Sequence, residues 1–182
     1  VCKTGARKIY GKSLSMDEIF DEIKKDKLFY DACGGGVTFS GGECMLYPEF
    51  LAGVAKMCKN ANISVAIDTA GYVPYEYFEA VMPYADVFLY DIKCISADRH
   101  KKFTGKDNGI ILKNFEKLIK TDKRVIVRVP VIDGFNSDDG EMEKIRDYLA
   151  DKNVETEYLK YHSMGESKKT ALKYFNVKRQ CL

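Results

Sequence analysis

Gly34-Gly35-Gly36-Val37-Thr38-Phe39-Ser40-Gly41-Gly42-Glu43 is the segment from which the rest of the chain can be read. A glycine run releases three β-branched or aromatic residues, a short buried strand by composition, and the strand stops on two more glycines and an acid. Working outward, the same rhythm repeats. Ser15-Met16-Asp17-Glu18 places a hydroxyl three residues ahead of a glutamate, a capping box that opens a helix running to about Lys25. After the glycines come a helix from Pro48 to Asn60, a strand from Ser64 to Asp68, a helix from Pro74 to Met82 and a strand from Val87 to Asp91. A helical stretch from Ser96 to Thr121, broken near Gly105, precedes a strand from Arg124 to Val129. A helix from Ser137 to Asp151, a strand from Glu155 to Lys160 and a weaker helix from Lys168 to Tyr174 complete the series. Continuous apolar runs such as Val125-Ile126-Val127 suit strands covered on both faces, so the expected class is α/β with a parallel sheet. A complete eightfold barrel typically needs about 250 residues, which makes an open or partial barrel the better fit to 182.

Composition narrows the function. With 46% hydrophobic and 31% charged residues the chain has the make-up of a water-soluble globular protein, and charges interrupt every apolar run before it could span a membrane. A net charge of +2 provides no general field for nucleic acid or a membrane surface, leaving small molecules or proteins as partners. The six cysteines, at 2, 33, 44, 58, 94 and 181, form no C-x-x-C pair and no disulfide framework, which suggests reduced thiols in a cytoplasmic protein. Residues 1–14 read as a basic, glycine-punctuated connector and 15–182 as the barrel.

In parallel α/β folds the loops at the carboxyl ends of the strands share one side, and sites form there. The five strands stop at Ser40-Gly41-Gly42-Glu43, Asp68-Thr69, Asp91-Ile92-Lys93, Arg128-Val129-Pro130 and Tyr161-His162. Singly these have plain explanations. Asp68 and Thr69 could simply turn the chain, Asp91 and Lys93 could form a local ion pair, and Arg128 could neutralise a carboxylate. His100, among Arg99, Lys101 and Lys102, reads as a solvated helix residue. Jointly, two aspartates, a glutamate, a lysine, an arginine and a histidine at one rim suit a zwitterionic ligand. Backbone groups at Gly41 and Gly42, with Glu43, would take an ammonium group. A carboxylate would be met by Lys93, Arg128 or a cation held by Asp68 and Asp91. Neither a Walker-type loop nor a dinucleotide-binding glycine motif is present.

The decapeptide ending in Glu43, Asp68-Thr69-Ala70-Gly71-Tyr72, Leu89-Tyr90-Asp91-Ile92-Lys93, Arg128-Val129-Pro130-Val131 with Gly134-Phe135-Asn136, and Tyr161-His162-Ser163-Met164-Gly165 resemble the glycyl-radical-enzyme activating enzymes. These are radical S-adenosylmethionine proteins of the pyruvate formate-lyase activating type. The resemblance implies a partial (β/α)6 barrel that holds S-adenosylmethionine against a 4Fe-4S cluster and cleaves it reductively to a 5'-deoxyadenosyl radical. That radical generates a glycyl radical on a partner enzyme such as pyruvate formate-lyase, with an electron donor such as flavodoxin or ferredoxin. It further implies that Ser40, Gly41, Gly42 and Glu43 hold the methionine amino group, and that Asp68, Thr69 and Asp91 hold a monovalent cation. Lys93 and Arg128 would be the catalytic-site residues beside the cofactor, and His162 would contact the ribose.

The chain departs from the family pattern at Cys44, where Pro or Ala usually follows Gly-Gly-Glu, and at Lys160, where Pro commonly precedes Tyr-His. A C-x-x-x-C-x-x-C motif occurs nowhere in the 182 residues, so the cluster ligands are absent from this chain. Cys2-Lys3-Thr4-Gly5-Ala6 resembles the tail of the ferredoxin-like insertion of many activases, where its cysteine binds an auxiliary cluster. The expectation is therefore a piece of a longer activase, missing the first strand and cluster loop and inactive alone. Two other readings stand beside it: a Schiff-base aldolase with Lys93 as nucleophile, and a non-catalytic module that docks a partner protein.

Overall fold

The structure, a computed structural model, describes residues 12–160. Its described elements run α1 (Met16–Lys25), α2 (Lys27–Cys33), β1 (Gly36–Phe39), α3 (Pro48–Asn60), β2 (Ser64–Thr69), α4 (Tyr75–Val81), β3 (Val87–Asp91), α5 (Ala97–Thr104), α6 (Gly109–Leu118), β4 (Arg124–Val131), α7 (Asp139–Ala150) and β5 (Glu155–Lys160). Short 3-10 turns at Cys44–Leu46 and Met82–Tyr84 lead into α3 and out of α4. The strands follow one another in sheet order β1-β2-β3-β4-β5. The pairings β1–β2, β2–β3 and β4–β5 are all parallel. The chain divides into two compact units, Val1–Tyr90 with Ile110–Val125 and Asp91–Gly109 with Ile126–Leu182.

In the first unit, period-two alternation buries Val65, Ile67 and Thr69 on one face of β2 and leaves Ala66 and Asp68 on the other. Val65 and Ile67 share their unit's core with Phe78, Phe88, Tyr90 and Phe115, and α3 adds Leu51, Val54, Ala55 and Cys58 from one helical stripe. Tyr90 is fully buried and its hydroxyl donates to the Ile111 carbonyl at 2.7 Å, which satisfies a polar atom that burial would otherwise penalise. In the second unit the core is made by Val127, Val129, Ile92, Phe135, Ile145 and Leu149.

The capping box read from Ser15 and Glu18 is present: the Glu18 amide donates to Ser15 Oγ at 3.2 Å and the Ser15 amide to Glu18 Oε2 at 2.7 Å. Because α1 buries none of its residues, its stability leans on this cap. Ser15→Ala is expected to cost about 1 kcal/mol, read as loss of amide protection in residues 16–20 by hydrogen exchange.

Three elements differ from the sequence reading. A second helix, α2, follows α1 where only the approach to the glycine run was expected; it is one of the shortest helices and its Leu28 and Phe29 stay exposed, so no buried stripe announces it. The strand β4 continues through Pro130 to Val131, whose parallel ladder with β5 runs to Lys160. His100 is 4% exposed and not solvated: its Nδ1 lies 2.7 Å from the Lys106 carbonyl and 3.1 Å from Thr104 Oγ1. The surrounding lysines are exposed, but α5 turns this one residue inward. The strand end at Tyr161-His162, the helix from Lys168 to Tyr174, His162 and Cys2 lie outside the described residues.

Candidate functional site

In the first unit, β1 and β2 end side by side, Phe39 being in register with Ile67. This places Ser40 next to Asp68, and Ser40 Oγ donates to Asp68 Oδ2 at 2.8 Å. Gly41 and Gly42 then turn the chain with φ of +87° and +52°, and an added Cβ at either would meet nothing within 4 Å. These glycines are needed for left-handed backbone, while the space beside them stays open to a ligand.

Glu43, which follows them, is tied down by its neighbours. Its Oε1 accepts from Thr69 Oγ1 at 2.8 Å and from the Met45 amide at 3.1 Å, and its Oε2 accepts from the Ala70 amide at 3.0 Å. The same Thr69 hydroxyl accepts from the Gly71 amide at 3.0 Å. The carboxylate therefore ties the loop after β1 to the loop after β2. A carboxylate has about four lone-pair sites, so three bonds leave one for a further donor. Cys44 is tucked under this bridge, its Sγ 3.4 Å from the Asp68 carbonyl. Burial, with the charges of Glu43 and Asp68, pushes its thiol up to about 12, so it stays neutral and unreactive.

In the second unit, Lys93 Nζ and Asp91 Oδ2 form an ion pair at 3.0 Å, with both side chains about a quarter exposed. The plain reading of these two residues is thus correct as far as it goes. Because Nζ is engaged with a carboxylate, the geometry gives no support to Lys93 as a free amine nucleophile. Beyond Asp91 the backbone is held at several points. The Ile92 amide donates to the Arg128 carbonyl on β4 at 3.0 Å. Asn136 Nδ2 donates to the Lys93 carbonyl at 2.6 Å and to the Pro130 carbonyl at 2.8 Å. Asn108 Nδ2 donates to the carbonyls of Cys94 and Ile95 at 2.8 and 2.9 Å. Glu141 Oε1 accepts from the amides of Ile95 and Ser96 at 2.7 and 3.0 Å, and Oε2 from the Ser96 hydroxyl at 2.5 Å.

Sequence reasoning passed over Asn108, Asn114 and Glu141, and quoted Asn136 only within a motif. A signal existed for two of them. Ile111, Asn114, Phe115 and Leu118 form one buried stripe of α6, and Glu141, Ile145 and Leu149 one of α7, so each stripe contains a polar residue where an apolar one is the rule. Asn114 serves the first unit as Asn108 serves the second, donating to the carbonyls of Gly71 and Val73 at 2.9 and 2.7 Å.

The described thiols, Cys33, Cys44, Cys58 and Cys94, are unpaired and do not fit an iron-sulfur cluster. Among the described residues no group of three or more His, Cys, Asp or Glu side chains could hold a metal, and Cys94, like Cys44, is pushed up to about 12 by burial and by a neighbouring carboxylate, here Glu141. An open cavity of about 410 Å³ in the second unit is lined by residues that include Arg99, Phe103, Phe135 and Asp138, none of them a site residue expected from sequence. No described helix is long and apolar enough to cross a membrane.

A model of the radical SAM superfamily matches residues 2–149. The chain belongs to this superfamily. Among curated relatives, this radical SAM chain is 46% identical over 167 residues to the trans-4-hydroxy-L-proline dehydratase activating enzyme of Clostridioides difficile, covering 90% of the chain and 55% of the relative. It is 39% identical to the (2S)-3-sulfopropanediol dehydratase activating enzyme of Klebsiella oxytoca, covering 92% and 54%. The chain thus spans about half the length of the curated relatives it matches. Among solved structures, a domain of the pyruvate-formate lyase-activating enzyme from Bacteroides vulgatus ATCC 8482 aligns with a TM-score of 0.65 at 31% identity, over 76% of this chain and 91% of that one. Streptococcus suis SuiB bound to S-adenosylmethionine aligns with a TM-score of 0.68 over 86% of this chain and 36% of that one; at 11% identity, this shows the fold alone. The partial α/β barrel of the radical SAM enzymes is the architecture of this chain.

Proposed function

We propose that this radical SAM chain is the cofactor-binding part of an activating enzyme that generates a glycyl radical on a partner enzyme. The observation that carries the reading is the strand-end loop Ser40–Glu43: its two glycines adopt left-handed backbone with open space beside them, while Glu43 is fixed by three hydrogen bonds with a lone-pair site to spare. Such a loop suits the amino group of S-adenosylmethionine, which needs acceptors held in place by the protein. The relatives named as activating enzymes support the choice of reaction, and pyruvate formate-lyase is one candidate partner among several glycyl radical enzymes. The roles that the resemblance implies for Asp91, Lys93, Arg128 and His162 are proposed on the same terms. A monovalent cation would take the Asp68 carboxylate; the Thr69 hydroxyl is already engaged with Glu43 and Gly71, so Thr69 would contribute its carbonyl. The unpaired thiols support a reducing, cytoplasmic setting.

S-Adenosylmethionine would supply the radical precursor. What these residues do is bind and orient it. Since the chain contains no C-x-x-x-C-x-x-C, the 182 residues alone are expected to release no methionine from S-adenosylmethionine under dithionite. The full-length gene product, reconstituted anaerobically with iron and sulfide, should release methionine and 5'-deoxyadenosine. Paired with its glycyl radical enzyme, it should also give a glycyl radical signal in electron paramagnetic resonance. Glu43→Ala should weaken S-adenosylmethionine binding by about tenfold or more, from the loss of charge-assisted bonds worth about 1.5–3 kcal/mol. Unchanged affinity in that variant, or no cleavage by the reconstituted protein, would refute the proposal.

A further inference from the structure

We propose that Asn136, Asn108 and Glu141 form a buried clamp that positions the Lys93–Asp91 pair and the end of β4 by gripping mainly backbone. The three are 0%, 3% and 1% exposed, and burying polar side chains is costly unless each is fully bonded. Here each is. Asn136 uses both amide hydrogens, on the carbonyls of Lys93 and Pro130, and its Oδ1 accepts from the Ile132 amide at 2.7 Å. Two carbonyls facing one side-chain nitrogen fix which end of the amide carries the hydrogens. A single side chain thus joins the residue carrying the ammonium group to β4, two residues beyond Arg128. Asn108 and Glu141 then hold four consecutive backbone groups, from the Cys94 carbonyl to the Ser96 amide.

A core that needed only stability would place apolar residues at these positions. Three polar residues converging on the segment from Lys93 to Ser96 instead fix its course, and with it the direction in which Lys93 leaves the backbone. Asn136 is a positioning residue. It touches no side chain expected to meet a ligand, so its effect must pass through the Lys93 peptide. The value of that position to cofactor binding rests on the function proposed above.

The test is made on the full 182-residue chain by nuclear magnetic resonance, following Lys93 15Nζ and Asp91 13Cγ. In Asn136→Ala both resonances should move toward exposed, unpaired values. Leu149→Ala, in the same unit but outside the clamp, should lower thermal stability and leave them in place. Asn108→Ala provides a second reading should Asn136→Ala fail to fold. Unmoved Lys93 and Asp91 resonances in the folded clamp variants, with stability alone reduced, would overturn the clamp. Titrating millimolar S-adenosylmethionine separates the two proposals. If wild-type Lys93 responds and Asn136→Ala binds about tenfold more weakly, both stand. If wild-type Lys93 is indifferent to it while the clamp variants still shift the pair, the functional role of Lys93 fails and the clamp stands.

Discussion

Glu141→Ala is expected to destabilise the second unit by about 3–5 kcal/mol, among the largest losses any single substitution in this chain should produce. The carboxylate is buried and accepts four hydrogen bonds, from the Ile95 and Ser96 amides, the Ser96 hydroxyl and the Cys94 thiol. Removing it leaves two half-buried amides and the Ser96 hydroxyl without this acceptor, and takes from the buried Cys94 thiol its shorter contact. Arg99 Nε and Lys144 Nζ stand 3.9 and 4.0 Å from Oε2, too far for strong bonds but near enough to favour the charge.

The same residue sets an acid limit. Burial alone would raise the Glu141 carboxyl, but its bonds from Ser96, Cys94 and Ile95 outweigh this and hold it down at about 2, against an ordinary value of 4.5. A carboxyl depressed in the folded state stabilises that state above its unfolded value and loses this contribution as pH falls toward its folded value. Stability should therefore be level above about pH 5 and decline between about 4.5 and 2, by about 3 kcal/mol in total from this group. Chemical denaturation at stepped pH checks it. Glu141→Gln, which cannot ionise, should flatten that part of the curve, and an unchanged acid slope in the variant would show that other carboxylates set the limit.

Gly71→Ala should cost a similar amount in the first unit, about 3–5 kcal/mol. Gly71 has a φ of +71°, and a Cβ there would overlap the Tyr90 hydroxyl. Relief by moving Tyr90 is blocked, because the ring is fully buried and its hydroxyl is committed to the Ile111 carbonyl. Relief by moving the loop is blocked as well, since Asn114 holds the carbonyls of Gly71 and Val73. Tyr90→Phe should restore part of the loss in the double variant by removing the clashing oxygen. Equal and additive losses in a double-mutant cycle would show that the two residues do not press on each other.

The strands β2, β3 and β4 were legible because this fold writes them as apolar runs closed by polar residues. Val87–Asp91 and Glu155–Lys160 have the ends expected from sequence, and β2 and β4 run one and two residues further. The capping box was legible for a similar reason, being a local pattern that owes nothing to distant partners. His100 was misread because its lysine and arginine neighbours describe the outer side of α5, whereas its ring nitrogen meets Thr104, one turn further along the helix, and the Lys106 carbonyl, which only the turn after the helix brings near. The site divides in the same way. That Glu43 and Asp68 stand at strand ends follows from the chain order; that Glu43 spends three bonds on Thr69, Met45 and Ala70 depends on the register of two strands and no local pattern states it. Asn114 escaped notice because polar residues on helices are ordinary until the buried face is known, and Asn108 and Asn136 because polar residues in turns and bends are ordinary too.

A grip on peptide groups is indifferent to the side chains those peptides carry. Cys94, Ile95 and Ser96 are steadied largely through main-chain carbonyls and amides. Kindred proteins could therefore rewrite Ile95 to suit different clients while the track of the segment stayed the same, and substitution tolerance should be higher there than at Asn108 and Glu141, which do the holding, or at Cys94 and Ser96, whose side chains also bond Glu141.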